Sequence, residues 1–340
     1  GIPGSAGYKK SICIVHVIEA AAKTEPMISA GNSHVVALKS DGTVWSWGLN
    51  NYGQLGISNA TGWVIRPLLI SSLSDKEIVS IAAGADHTMA LTALGQVYGF
   101  GKNDRGQLGQ SASAVNNNPH PTPTLMTGVG GNGTLSGVIE IAVGAQHTML
   151  LLGNGSVWTV GDNQKYQLGV QETDNKQSYA YNIHQVNTGL GEGETVSSIV
   201  AGPYNSGFIT NTGDAYVWGS NAQNGLLDAT IPQTGGYYEP IKYSAFRDAG
   251  GQPAKIKDID FGGVRSAEIM HMAVLSEDGE LWVWGSNDRG QIGNGVQGRE
   301  LNPVKIYGQG AKHAADKVFS VSAGALNTSV VLDNGDVYTW

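Results

Sequence analysis

Gly31-Asn-Ser-His34-Val-Val-Ala-Leu38-Lys-Ser-Asp41-Gly42-Thr-Val44-Trp45-Ser-Trp47-Gly48-Leu-Asn50-Asn-Tyr-Gly53-Gln54-Leu55-Gly56 carries the information that decides the fold, because the chain writes it six times. The copies run from Gly84 through Gly109, Gly144 through Gly169, Gly202 through Leu227, Gly262 through Gly293, and Gly324 to Trp340. Each opens with Gly and has His or Asn at the key position, then an apolar run, a turn ending in Gly and a spaced pair of bulky residues. A strand-built repeat of this length points to a propeller or a related ring of stacked units.

Within a copy the pattern reads as strands. Residues 34–38, 87–91 and 147–151 are short apolar runs, expected for strands covered on both faces. The turns at Asp41-Gly42, Asn154-Gly155, Asp278-Gly279 and Asn334-Gly335 are hairpin signals of the type I′ kind. The return strand places bulky residues two apart, and therefore on one face: Trp45 and Trp47, Tyr98 and Phe100, Trp158 and Val160, Tyr216 and Trp218, Trp282 and Trp284, Tyr338 and Trp340. A lone hairpin cannot bury such a face, so the copies must stack against one another. Apolar segments such as Ile78–Ile81, Val138–Ile141 and Val318–Val321 are expected as outer strands.

Five copies continue with Gly-x-Asn (Asn50, Asn103, Asn163, Asn221, Asn287), and three end in full Gly-Gln-Leu/Ile-Gly, at Gly53–Gly56, Gly106–Gly109 and Gly290–Gly293. On these motifs the chain resembles the regulator-of-chromosome-condensation repeat family across residues 28–340. The resemblance implies an all-β propeller of about six to seven four-stranded blades, with six copies visible. It also makes residues 1–27 a separate N-terminal segment.

That segment has a flexible start and then Lys9-Lys10-Ser-Ile12-Cys13-Ile14-Val15-His16-Val17-Ile18. It reads either as a signal-peptide-like run or as an edge strand that completes a blade left open at the other end. The second reading is attractive because the sixth copy stops at Trp340, where the others continue. A longer parent chain accounts for the same feature.

Composition narrows the function. Charged residues make up 14% of 340, and the net charge is −8 without a Lys/Arg run, which argues against nucleic acid as a partner. Cys13 is the only cysteine, excluding an internal disulfide, and no apolar run reaches the roughly 20 residues of a membrane span. The repeated His34, His87, His147 and His271 invite a metal reading. Asn205 and Asn327 replace them in two copies, so buried rings bonding backbone between blades are the better account. Gly128-Val-Gly-Gly-Asn-Gly133 spells a dinucleotide fingerprint but lacks its strand–helix context. No catalytic, cofactor-binding or metal residues are assigned, and none of the tryptophans stands in an arginine-lined cluster of the kind that light-sensing family members use.

Function is therefore expected where the copies differ. The fifth copy inserts residues between Gly262 and His271, including Arg265 and Glu268. Two long connections carry Tyr179 and Tyr181, and Tyr237 and Tyr238; Trp63 alone among the tryptophans lies outside the repeat positions. These seven are the expected partner contacts, since aromatic and arginine side chains dominate interfaces. The expected role is a non-enzymatic protein-interaction, adhesion or structural scaffold, bacterial and secreted or surface-exposed, with self-assembly allowed. Two further roles follow from the resemblance: a guanine-nucleotide exchange factor for a Ran-like GTPase, and an enzyme inhibitor or subunit of a larger assembly.

Overall fold

A computed structural model describes residues 24–58, 61–170, 179–221, 236–243, 246–248, 250–264, 269–308, 310–311, 313 and 315–340. Six antiparallel sheets follow one another along the chain. Sheet one holds β1 (Met27–Ala30), β2 (His34–Leu38), β3 (Val44–Leu49) and β4 (Trp63–Leu69). Sheet two holds β5 (Ile78–Ala83), β6 (His87–Thr92), β7 (Val97–Gly101) and β8 (His120–Leu125). Sheet three holds β9 (Val138–Val143), β10 (His147–Leu152), β11 (Val157–Asp162) and β12 (Tyr179–Gln185). Sheet four holds β13 (Val196–Ala201), β14 (Asn205–Thr210), β15 (Ala215–Ser220) and β16 (Gly236–Tyr243). Sheet five holds β17 (Ile256–Val264), β18 (Ile269–Ser276), β19 (Leu281–Gly285) and β20 (Glu300–Tyr307). Sheet six has three strands among the described residues, β21 (Val318–Ala323), β22 (Thr328–Leu332) and β23 (Val337–Thr339).

The first strands of successive sheets touch in turn, from β1 through β5, β9, β13 and β17 to β21, and their ends surround one cavity. The fold is a six-bladed β-propeller, with the sixth blade three-stranded as described. The segments expected as outer strands, Ile78–Ile81, Val138–Ile141 and Val318–Val321, are instead these innermost strands. They are apolar because one face of each packs against a neighbouring sheet, not because they form the rim.

One polar device recurs between sheets. The His34 ring bonds Thr88 Oγ1 of the next sheet at 3.0 Å, and that hydroxyl donates to the Gln54 carbonyl at 2.8 Å. His87, Thr148 and Gln107 repeat it, as do His147, Ser206 and Gln167, and His271, Thr328 and Gln291. Each hydroxyl is thus clamped by two groups of the preceding sheet. The expected backbone partner for these rings is replaced by a side-chain hydroxyl, which can accept from the ring and still donate.

The fourth junction lacks the clamp. Asn205 stands for His and turns back to the Ser220 carbonyl of its own sheet, and Met272 stands where the others have a hydroxyl. Pro203 also occupies the place where Asn32, Ala85 and Ala145 donate backbone N–H groups across the axis. Rings hold this junction instead: Tyr243 stacks on Phe246 at 4.8 Å, with Trp282 and Trp284 within 5.8 Å of that pair.

Hairpin geometry differs from expectation. Gly42 has φ of 83° while Asp41 keeps negative φ, and Gly42 N–H bonds Lys39 O as Lys39 N–H bonds Thr43 O. This is a type I turn closed by a glycine bulge, because the loop contains one residue more than a type I′ turn allows. Asp41 stabilises it by accepting from the Thr43 N–H and hydroxyl.

The ring is uncovered at one place. In sheet one β2 alternates buried and half-buried, unlike the fully buried β6. Ile28 is 69% exposed, whereas its counterparts Ile81, Ile141, Ile199, Ile259 and Val321 are 2–8% exposed. Val337 of sheet six is 68% exposed, against 0–1% for Val44, Val97, Val157, Ala215 and Leu281. The outward sides of the first and last sheets are open among the described residues.

Burial keeps the clamp histidines neutral, pushing His87 and His147 down to about 3 and His34 and His271 to about 4. Their contribution to stability is complete above pH 6.5 and is lost as pH falls toward those values. The axial carboxyls run the other way: burial raises Glu140 to about 7, and Asp258 and Asp260 to about 6. Glu140 accepts from Ile199 N–H and Asp260 from Ala323 N–H, so each caps the free edge of the next inner strand.

Replacing Thr148 by Val should lower unfolding free energy by about 2–4 kcal/mol in urea titrations, since the His87 ring and Gln107 carbonyl would both lose a buried partner. Glu140→Gln should stabilise the chain at pH 8 by about 1–3 kcal/mol and be near neutral at pH 4.5 in thermal melts, because only the ionised native carboxylate is penalised.

Candidate interaction face

In five copies the third strand runs into a Gly with φ near 105–117°, and at Gly48 a Cβ would run into the Ser33 carbonyl and the His34 backbone. Glycine there lets the chain turn outward over the end of its own sheet. The loop that follows is built from inside. Asn50 Oδ1 accepts from Leu55 N–H at 2.9 Å, and Gln54 Oε1 accepts from Tyr52 N–H at 2.9 Å. Asn103 and Gln107, Asn163 and Gln167, and Asn287 and Gln291 repeat both bonds. All eight side chains are buried, and their carbonyl oxygens are occupied in holding the loop.

What the frame presents is the residue whose N–H the glutamine holds: Tyr52, Arg105, Lys165 and Arg289. These tips were not singled out by sequence reasoning. The available signal was a position that varies within a loop whose flanking Asn, Gln and Gly do not. Three of the four tips are cationic in a chain of net charge −8. Lys102 pairs with Asp104 at 3.3 Å and lies 5.0 Å from the Tyr52 ring, which joins the first two loops.

The same face carries the first turns of the sheets. In five copies the opening Gly N–H bonds the His or Asn carbonyl three residues on, giving tight turns around an axial cavity of about 370 Å³. In sheet five the β17–β18 ladder instead continues past Gly262↔His271 through Gly263↔Met270 to Val264↔Ile269. The insertion thus lengthens a hairpin on this face. Arg265 and Glu268 lie outside the described residues.

The other expected contacts are separated. Tyr237 and Tyr238 lie on β16, with Tyr237 opposite Gly219 at the level of these turns and packed against the aromatic fourth junction. Tyr238 meets Tyr166 edge-on at 6.3 Å, and Tyr166 is held at φ 66° next to the Lys165 tip. Tyr179 and Tyr181 lie on β12, with side chains outside the described residues. Trp63 is on β4 of sheet one and is 68% exposed, beside Ile65 at 92%. Register puts it on the uncovered side of that sheet with Trp45 and Leu69, apart from the tyrosines.

The histidines form no metal centre: each ring is tied to a hydroxyl, and among the described residues no group of three His, Cys, Asp or Glu is placed to hold a cation. Gly128–Gly133 carries one turn of 3-10 helix and no helix that could seat a pyrophosphate. No helix among the described residues is long and apolar enough to cross a membrane.

Comparison with known proteins agrees with this geometry. The chain is 30% identical to the ultraviolet-B receptor UVR8 of Arabidopsis thaliana, covering 92% of this chain and 76% of the receptor. It is 31% identical to the E3 ubiquitin-protein ligase HERC2 of mouse and human over 88% of this chain, but spans only 6% of those ligases. Human WBSCR16 superposes with a TM-score of 0.73 at 23% identity, over 91% of this chain and 72% of that one. Prp20p of Saccharomyces cerevisiae, described with its binding to Gsp1p and histones, gives 0.71 at 22%, over 88% and 66%. The expected bacterial, secreted or surface placement is overturned by these findings: the relatives are plant, mammalian and yeast proteins, and work on ubiquitin or histones is done inside cells. The RCC1-like domain model matches residues 7–340, and the chain belongs to the RCC1-like domain family.

Proposed function

We propose that the chain is a non-enzymatic interaction scaffold, residues 28–340 acting as one propeller, and that its protein partner sits on the face of glutamine-held loops. The observation that carries this is a buried frame, repeated in four sheets, that fixes the backbone of Tyr52, Arg105, Lys165 and Arg289 while leaving their identity variable. Rigid presentation limits the entropy lost on binding, and arginine and tyrosine are the side chains that most often carry interface energy. The tips favour a partner surface that is acidic with an apolar centre, which would rest on Tyr166, Tyr237 and Tyr238. Arg265 and Glu268, between β17 and β18 in the sequence, are proposed as further contacts.

Two features support a binding role over catalysis. The repeated His, Asn and Gln side chains are engaged in holding sheets and loops. The carboxyls with raised pKa lie on the inner strands, where Glu140 and Asp260 cap backbone N–H groups. The relatives include a light receptor and ubiquitin ligases, so one scaffold serves several partners, and exchange-factor activity toward a Ran-like GTPase is a competing reading drawn from the Prp20p likeness.

In affinity capture from the native cell extract, Arg289→Glu with Tyr166→Ala should reduce partner recovery at least tenfold while leaving the melting temperature within a few degrees. Lys39→Ala with Asp41→Ala, on the opposite face, should leave recovery unchanged. Equal recovery by both variants would sink the proposed face. GDP release from a Ran-type GTPase should be unaffected by micromolar protein, and acceleration would replace the scaffold reading with exchange activity.

A further inference from the structure

The fourth junction is tied at one end. Near the hairpin turns Ile256 N–H bonds the Gly213 carbonyl at 2.9 Å, as Val138 N–H bonds Gly95 and Val318 N–H bonds Gly279 at other junctions. Among the described residues it is the one backbone bond between sheets four and five. Tyr243 pairs with Ala215 beside that turn and stacks on Phe246, so the aromatic cluster is anchored at the same end.

At the loop-face end the groups that tie other junctions are satisfied within their own sheets. Asn205 Nδ2 donates to the Ser220 carbonyl of sheet four at 2.6 Å. Phe261 N–H is the counterpart of Ala83 N–H and Ala323 N–H, which Ser29 and Asp260 of the preceding sheets cap. Its own cap is the adjacent Asp260 carboxylate at 2.8 Å, because Val200 stands in sheet four where Ser29 and Asp260 stand in theirs. Gly202 lies against the Phe261 side chain, whereas Gly31, Gly84, Gly144 and Gly262 each lie against the carbonyl of the next axial glycine. Parting the sheets here strands none of these donors and acceptors and breaks only apolar contact.

We infer that the fourth junction is a hinge, fixed at the Gly213 end and opening on the loop face, with Tyr237 carrying its state to that face. Polar clamps hold the other junctions to one geometry, while the loop-face end of this one has only packing to oppose a local opening. Tyr237 of β16 packs on the aromatic cluster at the level of the first turns, and the lengthened β17–β18 hairpin stands across from it on sheet five. A protein spanning both would hold the hinge shut, and that consequence alone rests on the proposed face.

Three native methionines make the test direct. Met89, Met149 and Met272 are each 0% exposed and pack in the second, third and fourth junctions. The unaltered chain is treated with dilute hydrogen peroxide, and sulfoxide at each methionine is read by peptide mass spectrometry. Met272 should oxidise about tenfold faster than Met89 and Met149, because only its junction opens short of unfolding, and urea should equalise the three. Equal native rates, or a slower Met272, would overturn the hinge. Amide exchange at Ile256 should match that at Val138 and Val318; selective loss of protection there would overturn the fixed Gly213 end. Tyr237→Ala should speed oxidation of Met272 alone, and no change, or the same rise at all three methionines, would overturn the link to the face. No partner is present, so failure of the hinge leaves the proposed face standing, and failure of the face leaves the hinge.

Discussion

A single buried hydroxyl, held between an imidazole of one copy and a glutamine carbonyl from the loop of the same copy, sets how sheets meet at four of the five described junctions. Thr88, Thr148, Ser206 and Thr328 occupy that position. The hydroxyl suits it because it accepts one bond and donates one, so neither partner is left unsatisfied in a dry junction. The histidine must remain neutral there, and burial ensures this by depressing its proton affinity. The glutamine then does double duty: its carbonyl joins the clamp while its side chain holds the tip of the loop above. Sheet stacking and loop rigidity are thus fixed by the same residues.

This sharing explains why function and scaffold divide so cleanly along the sequence. A residue that recurs in register does so because every junction poses the same packing problem. Trp218 and Trp340 even direct their indole N–H to the glutamine carbonyl of the preceding copy, at 3.1 and 3.0 Å. Residues free of that problem vary, and they sit at the loop tips and the lengthened β17–β18 hairpin. The exception is the fourth junction, where Pro203, Asn205 and Met272 remove the hydroxyl clamp and the axial N–H bond, and an aromatic cluster packs beside the remaining backbone tie of Ile256 N–H to Gly213 O. An aromatic-held seam resists water as well as a clamped one, but it imposes no donor–acceptor direction.

The family context fits a scaffold of this kind. A light receptor and ubiquitin ligases share the repeat with this chain, and the ligases are far longer than the part it matches. Likeness to such different proteins is what function residing in sites grafted on a shared fold would give.

The sequence by itself determined the number of copies, their strand and turn order, and the shared face of the spaced bulky residues, since each of these follows from periodicity within a copy. It read the repeated histidines as ties between sheets, because Asn could replace them, but gave them backbone partners where the structure has hydroxyls. It did not reveal that Ile78–Ile81 and its counterparts are the axial strands, nor that Asp41-Gly42 closes a type I turn with a bulge. It singled out Tyr238 without the Tyr166 it meets. It also placed Trp63 outside the pattern, whereas in space it extends the same uncovered side as Trp45. Apart from the turn type, which depends on the length of one loop, these are relations between strands of a sheet or between copies, and a linear pattern contains no distance between them. Only the tertiary structure decided which side of each sheet finds a neighbour, which hydroxyl enters which clamp, and therefore which side chains are left facing outward.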